Sequence, residues 1–308
     1  MIFSAFTQGR FASSSNLNNI LLDSAQTLVI AVPMTFIVIT AGIDLSVGST
    51  VILSSVVSAT VMARVSGTPE QVAAFDYPNA GMGIAAGIIA ALLVGLLAGA
   101  LNGFLIAFAR LPAFVVTLAT MGGFQGLALV MTGGTNLVNI PPLLQREFGA
   151  AKLLGVVPLP VVLAVVVALI GWFLLRFTVS GMRTLAIGSN LEGSRRAGLR
   201  VRLHTFWLYA FAGLAAGVAG IIDLARFLST SVEAHGQDAL DAISAVVLGG
   251  TSLFGGVGNI PGTLVGSLLP SVLQNGFIQL HLPPFWQPVV LAIVLIFAIG
   301  YDTLRRRG

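Results

Sequence analysis

Charge is scarce in this chain. Only 8% of its 308 residues are Asp, Glu, Lys or Arg, while 56% are hydrophobic, against about a quarter charged in an ordinary soluble domain. Mean hydropathy is +0.98, and the composition is that of an integral membrane protein. Cysteine is absent, which excludes disulfides, thiolate catalysis and cysteine metal sites without identifying a compartment. Lysine occurs once, as Lys152, and Leu153 follows it. A phosphate-cradling loop needs a glycine-rich turn, a lysine and then Ser or Thr, so the chain cannot hydrolyse ATP through such a loop. A Gly-x-Ser-x-Gly elbow and a paired-carboxylate site are missing too, and His204, His235 and His281 are scattered rather than set at ligand spacing. These absences argue against a membrane enzyme and a metal site. The start, Met1-Ile2-Phe3-Ser4-Ala5-Phe6, lacks the basic flank and apolar core of a signal peptide. A net charge of +4 and a pI near 10.3 would suit a nucleic-acid binder, but the charges lie in loops between apolar runs, so no nucleic-acid partner is expected.

What remains is a series of apolar runs of about 20 residues, the length at which a helix satisfies its own backbone in lipid. They predict an all-α polytopic membrane protein with about nine transmembrane helices, some broken or short and glycine-rich. The crossings are about Asp23–Ala41, Ser46–Val65, one within Gly81–Ala109, Ala113–Thr132, Pro160–Thr178, Thr205–Leu228, Ala242–Gly256, Ile260–Leu280 and Phe285–Tyr301. The seventh is short for a full crossing, and a re-entrant segment is the alternative. Residues 1–308 read as a single transmembrane domain, with residues 179–204 its largest cytoplasmic connection. Orientation follows from arginine: Arg176, Arg183, Arg195, Arg196, Arg200 and Arg202 crowd that connection, Arg305, Arg306 and Arg307 follow the last span, and Arg110 agrees. By the positive-inside rule these are cytoplasmic, which puts the C-terminus inside and Ser66–Ala80, Gly133–Leu159, Ser229–Asp241 and His281–Pro284 outside.

Three motifs carry the functional reading. Thr40-Ala41-Gly42-Ile43-Asp44-Leu45-Ser46-Val47-Gly48-Ser49 sets a carboxylate and hydroxyls between two membrane-length runs. An ionisable group at that depth faces a bundle interior or a watery path and is a functional-site hypothesis by default. Asp44 or Ser46 capping the next helix is the structural reading; contact with the hydroxyls of a polar solute is the functional one. The second motif is Ala186-Ile187-Gly188-Ser189-Asn190-Leu191-Glu192-Gly193-Ser194-Arg195-Arg196-Ala197-Gly198-Leu199-Arg200-Val201. It reads as a short helix capped by Ser189 or Asn190, with Glu192 in the first turn and Gly198 at the exit; a basic loop serving topology or anionic lipid is the alternative. The third is Asp241-Ala242-Ile243-Ser244-Ala245-Val246-Val247-Leu248-Gly249-Gly250-Thr251-Ser252-Leu253-Phe254-Gly255-Gly256-Val257-Gly258-Asn259, whose glycines suit close packing or an interrupted helix. Its Gly250-x-x-Leu253-x-x-Gly256 echoes the spacing of Gly42-x-x-Leu45-x-x-Gly48, which raises a parallel repeat. Asp223 and Arg226 share a helix face and can pair, with a proton relay as the alternative. Glu233, Asp238 and Asp241 make one external connection acidic, either as a solvated loop or as a docking surface.

Gly-Ile-Asp-Leu-Ser-Val-Gly-Ser resembles a signature of the membrane permeases of bacterial ABC sugar importers of the ribose/xylose/galactose type. The glycine-rich stretch is similar to a second signature of that family, and Leu111-Pro112-Ala113-Phe114-Val115-Val116-Thr117-Leu118-Ala119-Thr120-Met121 is a further match. Gly188, Asn190, Glu192 and Gly198 match the family's coupling helix, which meets the ATPase, while Gly193 and Ser194 replace two alanines. The resemblance implies a non-catalytic subunit without cofactor, ATP being bound by a partner. It implies an ABC ATPase, an external sugar-binding protein, a second permease chain and membrane lipid as partners, in the bacterial inner membrane. Gly42, Asp44, Ser46, Gly48, Ser49, Gly250, Thr251 and Ser252 then belong to the path or its broken helices. Gly188, Asn190, Glu192, Arg195, Arg196 and Gly198 belong to ATPase coupling, and the acidic connection to the binding-protein surface. Full-length relatives carry ten spans, so the chain is expected to lack most of a first helix, with Phe11–Leu21 as the external link that follows it. A secondary carrier or channel is the competing class, in which Asp44 or Asp223 would bind a coupling ion; a coupling helix would be pointless there.

Overall fold

The computed structural model describes residues 10–283 and 285–307; the readings of Met1–Phe6 and of Pro284 lie outside them. Apart from a two-residue hairpin pairing β1 (Lys152–Leu153) with β2 (Val157–Pro158), the regular structure among the described residues is helical. In chain order the helices are α1 (Ser14–Ile39), α2 (Val47–Ser66), α3 (Pro69–Ala73), α4 (Ala80–Ala107) and α5 (Ala113–Thr132). After a short helical turn at Pro142–Leu144 follow α6 (Leu159–Phe177), α7 (Val179–Ser189), α8 (Leu191–Arg196), α9 (Val201–Phe227), α10 (Asp238–Leu248), α11 (Ile260–Gln279) and α12 (Trp286–Arg307). Six of these, α1, α2, α4, α5, α6 and α9, are long and apolar enough to cross a membrane, and Trp286–Ala298 is a shorter apolar stretch.

The boundaries have local causes. Helix α5 starts behind Pro112, whose missing N–H costs a helix start nothing, and ends at Gly133 in the left-handed region (φ 62°). Thr117 and Thr120 donate back to the carbonyls of Ala113 and Val116 at 2.9 and 3.0 Å, which hides their hydroxyls within the helix. Helix α1 begins well before the apolar run that announces it. Ser13 caps it through the Asn16 amide, and the Asn16 side chain exchanges two 2.8 Å bonds with Asn275. Residues expected as an external link are therefore its first turns. Helix α10 has 11 residues, about 16 Å at 1.5 Å per residue, or half of a hydrocarbon core of about 30 Å.

The chain divides into two compact units. One comprises Gly42–Val162 and Glu192–Leu240 and is built on α2, α4 and α9. Helix α4 buries a small residue at every fourth position: Gly83, Gly87, Ala91, Gly95, Gly99 and Gly103. At Gly83 and Gly87 this ladder receives Ser66 and Met62 of α2; at Gly95, Gly99 and Gly103 it lies on the backbone of Gly213, Tyr209 and Phe206 of α9, running antiparallel to it. Without a buried hydrophobic driving force between helices in lipid, such close backbone approach is what holds spans together. Around the seam Ile52, Leu53, Val56, Ala98, Phe124, Ala128 and Val232 form one apolar cluster, and Ala59, Met62, Ile140, Leu144, Leu224 and Ala225 another. The opposite faces of α4 and α5 expose Ile89, Leu93, Leu97, Leu101, Phe114, Leu118 and Val130, as lipid-facing spans do.

The other unit comprises Met1–Ala41, Leu163–Leu191 and Asp241–Gly308. Here α1 packs antiparallel on α11, joined by the Asn16–Asn275 pair near one end and a 2.8 Å bond between the Thr35 and Thr263 hydroxyls further along. Helix α10 meets α11 through Gly249 on Gly262 and Gly266 on the Ala245 carbonyl.

Candidate functional site

The polar break joins α1 to α2. Beyond Ile39 the Thr40 hydroxyl turns back to the Ile37 carbonyl at 2.8 Å, and Ala41 takes a left-handed φ of 58°, so the helix cannot continue. Asp44 then accepts both the Ser46 amide (2.9 Å) and the Ser46 hydroxyl (2.7 Å) on one oxygen, Oδ1. This local turn is one that aspartate favours, and it delivers the chain into α2. Ser46 occupies the cap position without a side-chain cap bond of its own; the capping contact comes from Asp44. The Ser49 and Thr50 hydroxyls close on the Ser46 carbonyl at 2.8 and 2.9 Å.

Two residues that sequence reading passed over complete this network. The Asn102 amide nitrogen of α4 donates to Ser46 Oγ at 2.7 Å, and the Tyr209 hydroxyl of α9 donates to the Ile43 carbonyl at 3.2 Å. Because the Ser46 proton is committed to Asp44, Ser46 Oγ can only accept, which orients the Asn102 side chain. Asn102 Oδ1 is left buried without a partner among the described residues. The signal that could have found Asn102 is its isolation, one amide within an apolar run, next to Gly103 of the period-four ladder. The site therefore holds a desolvated carboxylate, a bonded hydroxyl and a spare acceptor, groups that suit hydroxyl donors.

The second break runs from Gly249 to Asn259. Gly250, Gly255 and Gly256 are all left-handed (φ 87°, 85° and 78°), and Asn259 caps α11 through the Gly262 amide at 2.6 Å. Thr251 and Ser252 are buried, and Thr251 Oγ1 has no partner among the described residues. The echoed glycine spacing does not map one break onto the other: Gly48 lies inside α2, whereas Gly256 lies in a left-handed turn. What recurs is the cap. Thr50 and Thr263 each donate to the carbonyl of the cap residue four positions earlier, Ser46 and Asn259, at 2.9 and 3.1 Å.

In the large connection, Thr178 caps α7, Asn190 is extended (φ −156°, ψ 96°), and α8 follows at once. The Ser189 hydroxyl returns to the Leu185 carbonyl, so it belongs to α7. Glu192 lies 3.2 Å from Arg196 and 3.9 Å from Arg195, all three exposed, a geometry contributing about 0–1 kcal/mol to stability. Gly198 leaves the helix with φ 80°. The result is an exposed tip, with Leu191 also open, while Gly188 sits against Ile39 and Gly256.

The acidic connection is only partly solvated: Thr230, Val232 and His235 are buried, while Glu233, Ala234, Gly236 and Gln237 are exposed. Thr230 exchanges bonds with Leu137 at 2.9 and 3.1 Å, and Val232 enters the Ile52–Phe124 cluster. The His235 carbonyl rests on Gly48, where any side chain would collide with it. The imidazole stands between Asp238 (2.9 Å) and Asp223 (3.4 Å), while the Arg226 guanidinium lies 4.9 Å from the Phe227 ring centroid. Of the three acidic residues only Glu233 is exposed. Burial pulls the His235 pKa down, but its hydrogen bonds to Asp223 and Asp238 and their charges outweigh that and push it up to about 10. A histidine raised in the fold contributes fully below its unfolded pKa of about 6.5, and the contribution is lost as pH rises through the folded value. The purified protein should thus lose several degrees of melting temperature between pH 6.5 and 10, and His235→Gln should lower the plateau and flatten that slope; an equal slope in both proteins would remove His235 from the clamp. Among the described residues no group of three His, Cys, Asp or Glu is placed to hold a metal.

Comparison with known proteins supplies the family. Residues 16–299 match the family model described as branched-chain amino acid transport system / permease component. The ribose import permease protein RbsC of Escherichia coli K12 is 35% identical over 300 residues, covering 96% of this chain and 88% of that protein. RbsC of Bacillus subtilis 168 is 40% identical over 293 residues (95% and 86%). The xylose transport system permease protein XylH of Escherichia coli K12 is 31% identical over 366 aligned residues (100% and 89%). No solved structure matches the chain significantly. The chain belongs to this family of transport-system permease components, multi-pass membrane subunits rather than enzymes.

Proposed function

We propose that the chain is the translocation subunit of an ATP-binding-cassette importer for a monosaccharide, in the bacterial inner membrane with its C-terminus in the cytoplasm. The reading is carried by the exposed α8 tip in the arginine-rich connection, an element that a docked ATPase needs and a secondary carrier or channel does not. Asn190, Glu192, Arg195, Arg196 and Gly198 belong to the ATPase contact. Nine segments cross the bilayer within a single transmembrane domain spanning residues 1–308, with residues 179–204 as the cytoplasmic connection; the seventh joins α10 to the turn ending at Gly256. Two permease chains enclose the path, and an external binding protein delivers the solute. Gly42, Asp44, Ser46, Gly48, Ser49, Gly250, Thr251 and Ser252 border the path, where each helix break leaves an acceptor for a hydroxylated solute: Asn102 Oδ1 beside Ser46, and Thr251 Oγ1. The relatives named for ribose and xylose favour a pentose, whereas the family description favours a branched-chain amino acid.

The test is uptake by proteoliposomes holding the permease, its ATPase and its binding protein, with ribose, xylose and leucine offered in turn. A pentose should enter in an ATP-dependent way and leucine should not. Glu192→Lys combined with Gly198→Leu, which puts a branched side chain at a left-handed position, should abolish both uptake and co-purification of the ATPase. Retention of both would sink the coupling assignment, and ion-driven uptake without ATPase would move the chain to the secondary carriers.

A further inference from the structure

Gly188, which sequence reading grouped with the ATPase contact, is turned inward. A Cβ there would collide with the Ile39 carbonyl and stand 2.6 Å from the Gly256 amide nitrogen. Ile39 is the last residue of α1, and the break at Thr40 leaves its carbonyl without the amide that a continuing helix would supply. The Gly256 amide supplies it instead, at 2.8 Å. Gly255 approaches the Gly188 and Ile39 carbonyls closely enough that a Cβ would stand 2.9 and 3.0 Å from them, and Gly256 lies equally close on Ser189. Both glycines hold left-handed backbones (φ 85° and 78°) that a larger residue would strain. Three strands of bare backbone thus meet at one point: the end of the first span, the end of α7 and the glycine-rich turn. Only Ser189 and the extended Asn190 separate this point from the exposed tip.

We propose that Gly188 is the positioning residue through which displacement of the α8 tip is passed to both helix breaks. The tip connects to α7 through only Ser189 and Asn190, and α7 cannot shift at Gly188 without disturbing the bond that caps α1 and anchors the glycine-rich turn. Backbone groups in contact transmit a shift that long side chains would absorb by changing rotamer. The inference rests on the coupling reading given above, and its experiment separates the two.

The test is Gly188→Ala in the complete importer, with ATP hydrolysis and uptake of the pentose that the native protein carries measured on the same vesicles. The ATPase should still co-purify and hydrolyse ATP, while solute moved per ATP falls at least ten-fold. Loss of ATPase binding would instead return Gly188 to the docking surface, and an unchanged transport ratio would overturn the joint. A second measurement keeps Gly188 native. The chain has no cysteine, so Val257→Cys, an exposed position beside the joint, gives a single labelling site. Its maleimide labelling should change several-fold between nucleotide-free and ATP-bound importer; identical rates would show that the glycine-rich turn does not move and would overturn the proposal even if Gly188→Ala fails to assemble.

Discussion

Valine at position 99 should leave little folded protein in the membrane. A Cβ at Gly99 meets the Tyr209 carbonyl and stands 2.9 Å from the Gly213 Cα and nitrogen, backbone atoms that cannot step aside. Forcing extra methyl groups into a closed contact costs about 1–3 kcal/mol where side chains can adjust, and more where backbone is the obstacle. Set against a total stability of about 5–15 kcal/mol, such a loss is large. Gly99→Val should lower the yield of monodisperse protein after detergent extraction several-fold and reduce its melting temperature. Gly122→Val on α5, where a Cβ meets nothing within 4 Å, should leave both unchanged. Equal behaviour of the two variants would mean that the α4–α9 seam is not a determinant of stability.

Substitutions at Asp44 should separate charge from hydrogen bonding. Asp44→Ala removes the acceptor of the Ser46 amide and hydroxyl. Losing a helix cap costs about 1 kcal/mol, and leaving buried donors unsatisfied adds about 1–3 kcal/mol. The Asn102–Ser46 bond also loses its reason for orientation. Uptake per inserted molecule should fall more than ten-fold. Asp44→Asn keeps an acceptor at the same place, so it should express normally and transport within about three-fold of the native protein, the factor that less than 1 kcal/mol represents. A dead but well-expressed Asn variant would make the charge itself the essential feature and bring the carboxylate into direct contact with solute.

The spans were legible where a hydrophobic run and a stop signal coincide, as at Ala113–Thr132 between Pro112 and Gly133. They were not where a polar residue is satisfied by a distant partner. Asn16 reads as a loop residue, yet its bonds to Asn275 carry α1 back to Ser14. The acidic connection misleads for the same reason, because nothing local announces that His235 will hold Asp223 and Asp238 inside the bundle. The polar break was located correctly from the isolated carboxylate, but its partners Asn102 and Tyr209 arrive on separate helices. The fourfold glycine repeat of α4 was readable without any structure, and only the count of intervals was needed. Gly188 matches a family pattern by type while doing its work by having no side chain, a role that pattern matching cannot distinguish from a docking contact.

The course of residues 229–237, anchored by buried Thr230, Val232 and His235, also bears on the order of assembly. A non-helical segment with buried polar groups and carboxylates at its flanks cannot hold this course unaided. It needs Gly48 of α2, the cluster on α4 and α5, and Asp223 of α9 already in place. During synthesis it emerges after all of those helices, so its entry is a closing step: the unit is first threaded as separate spans and then sealed by a plug that arrives last.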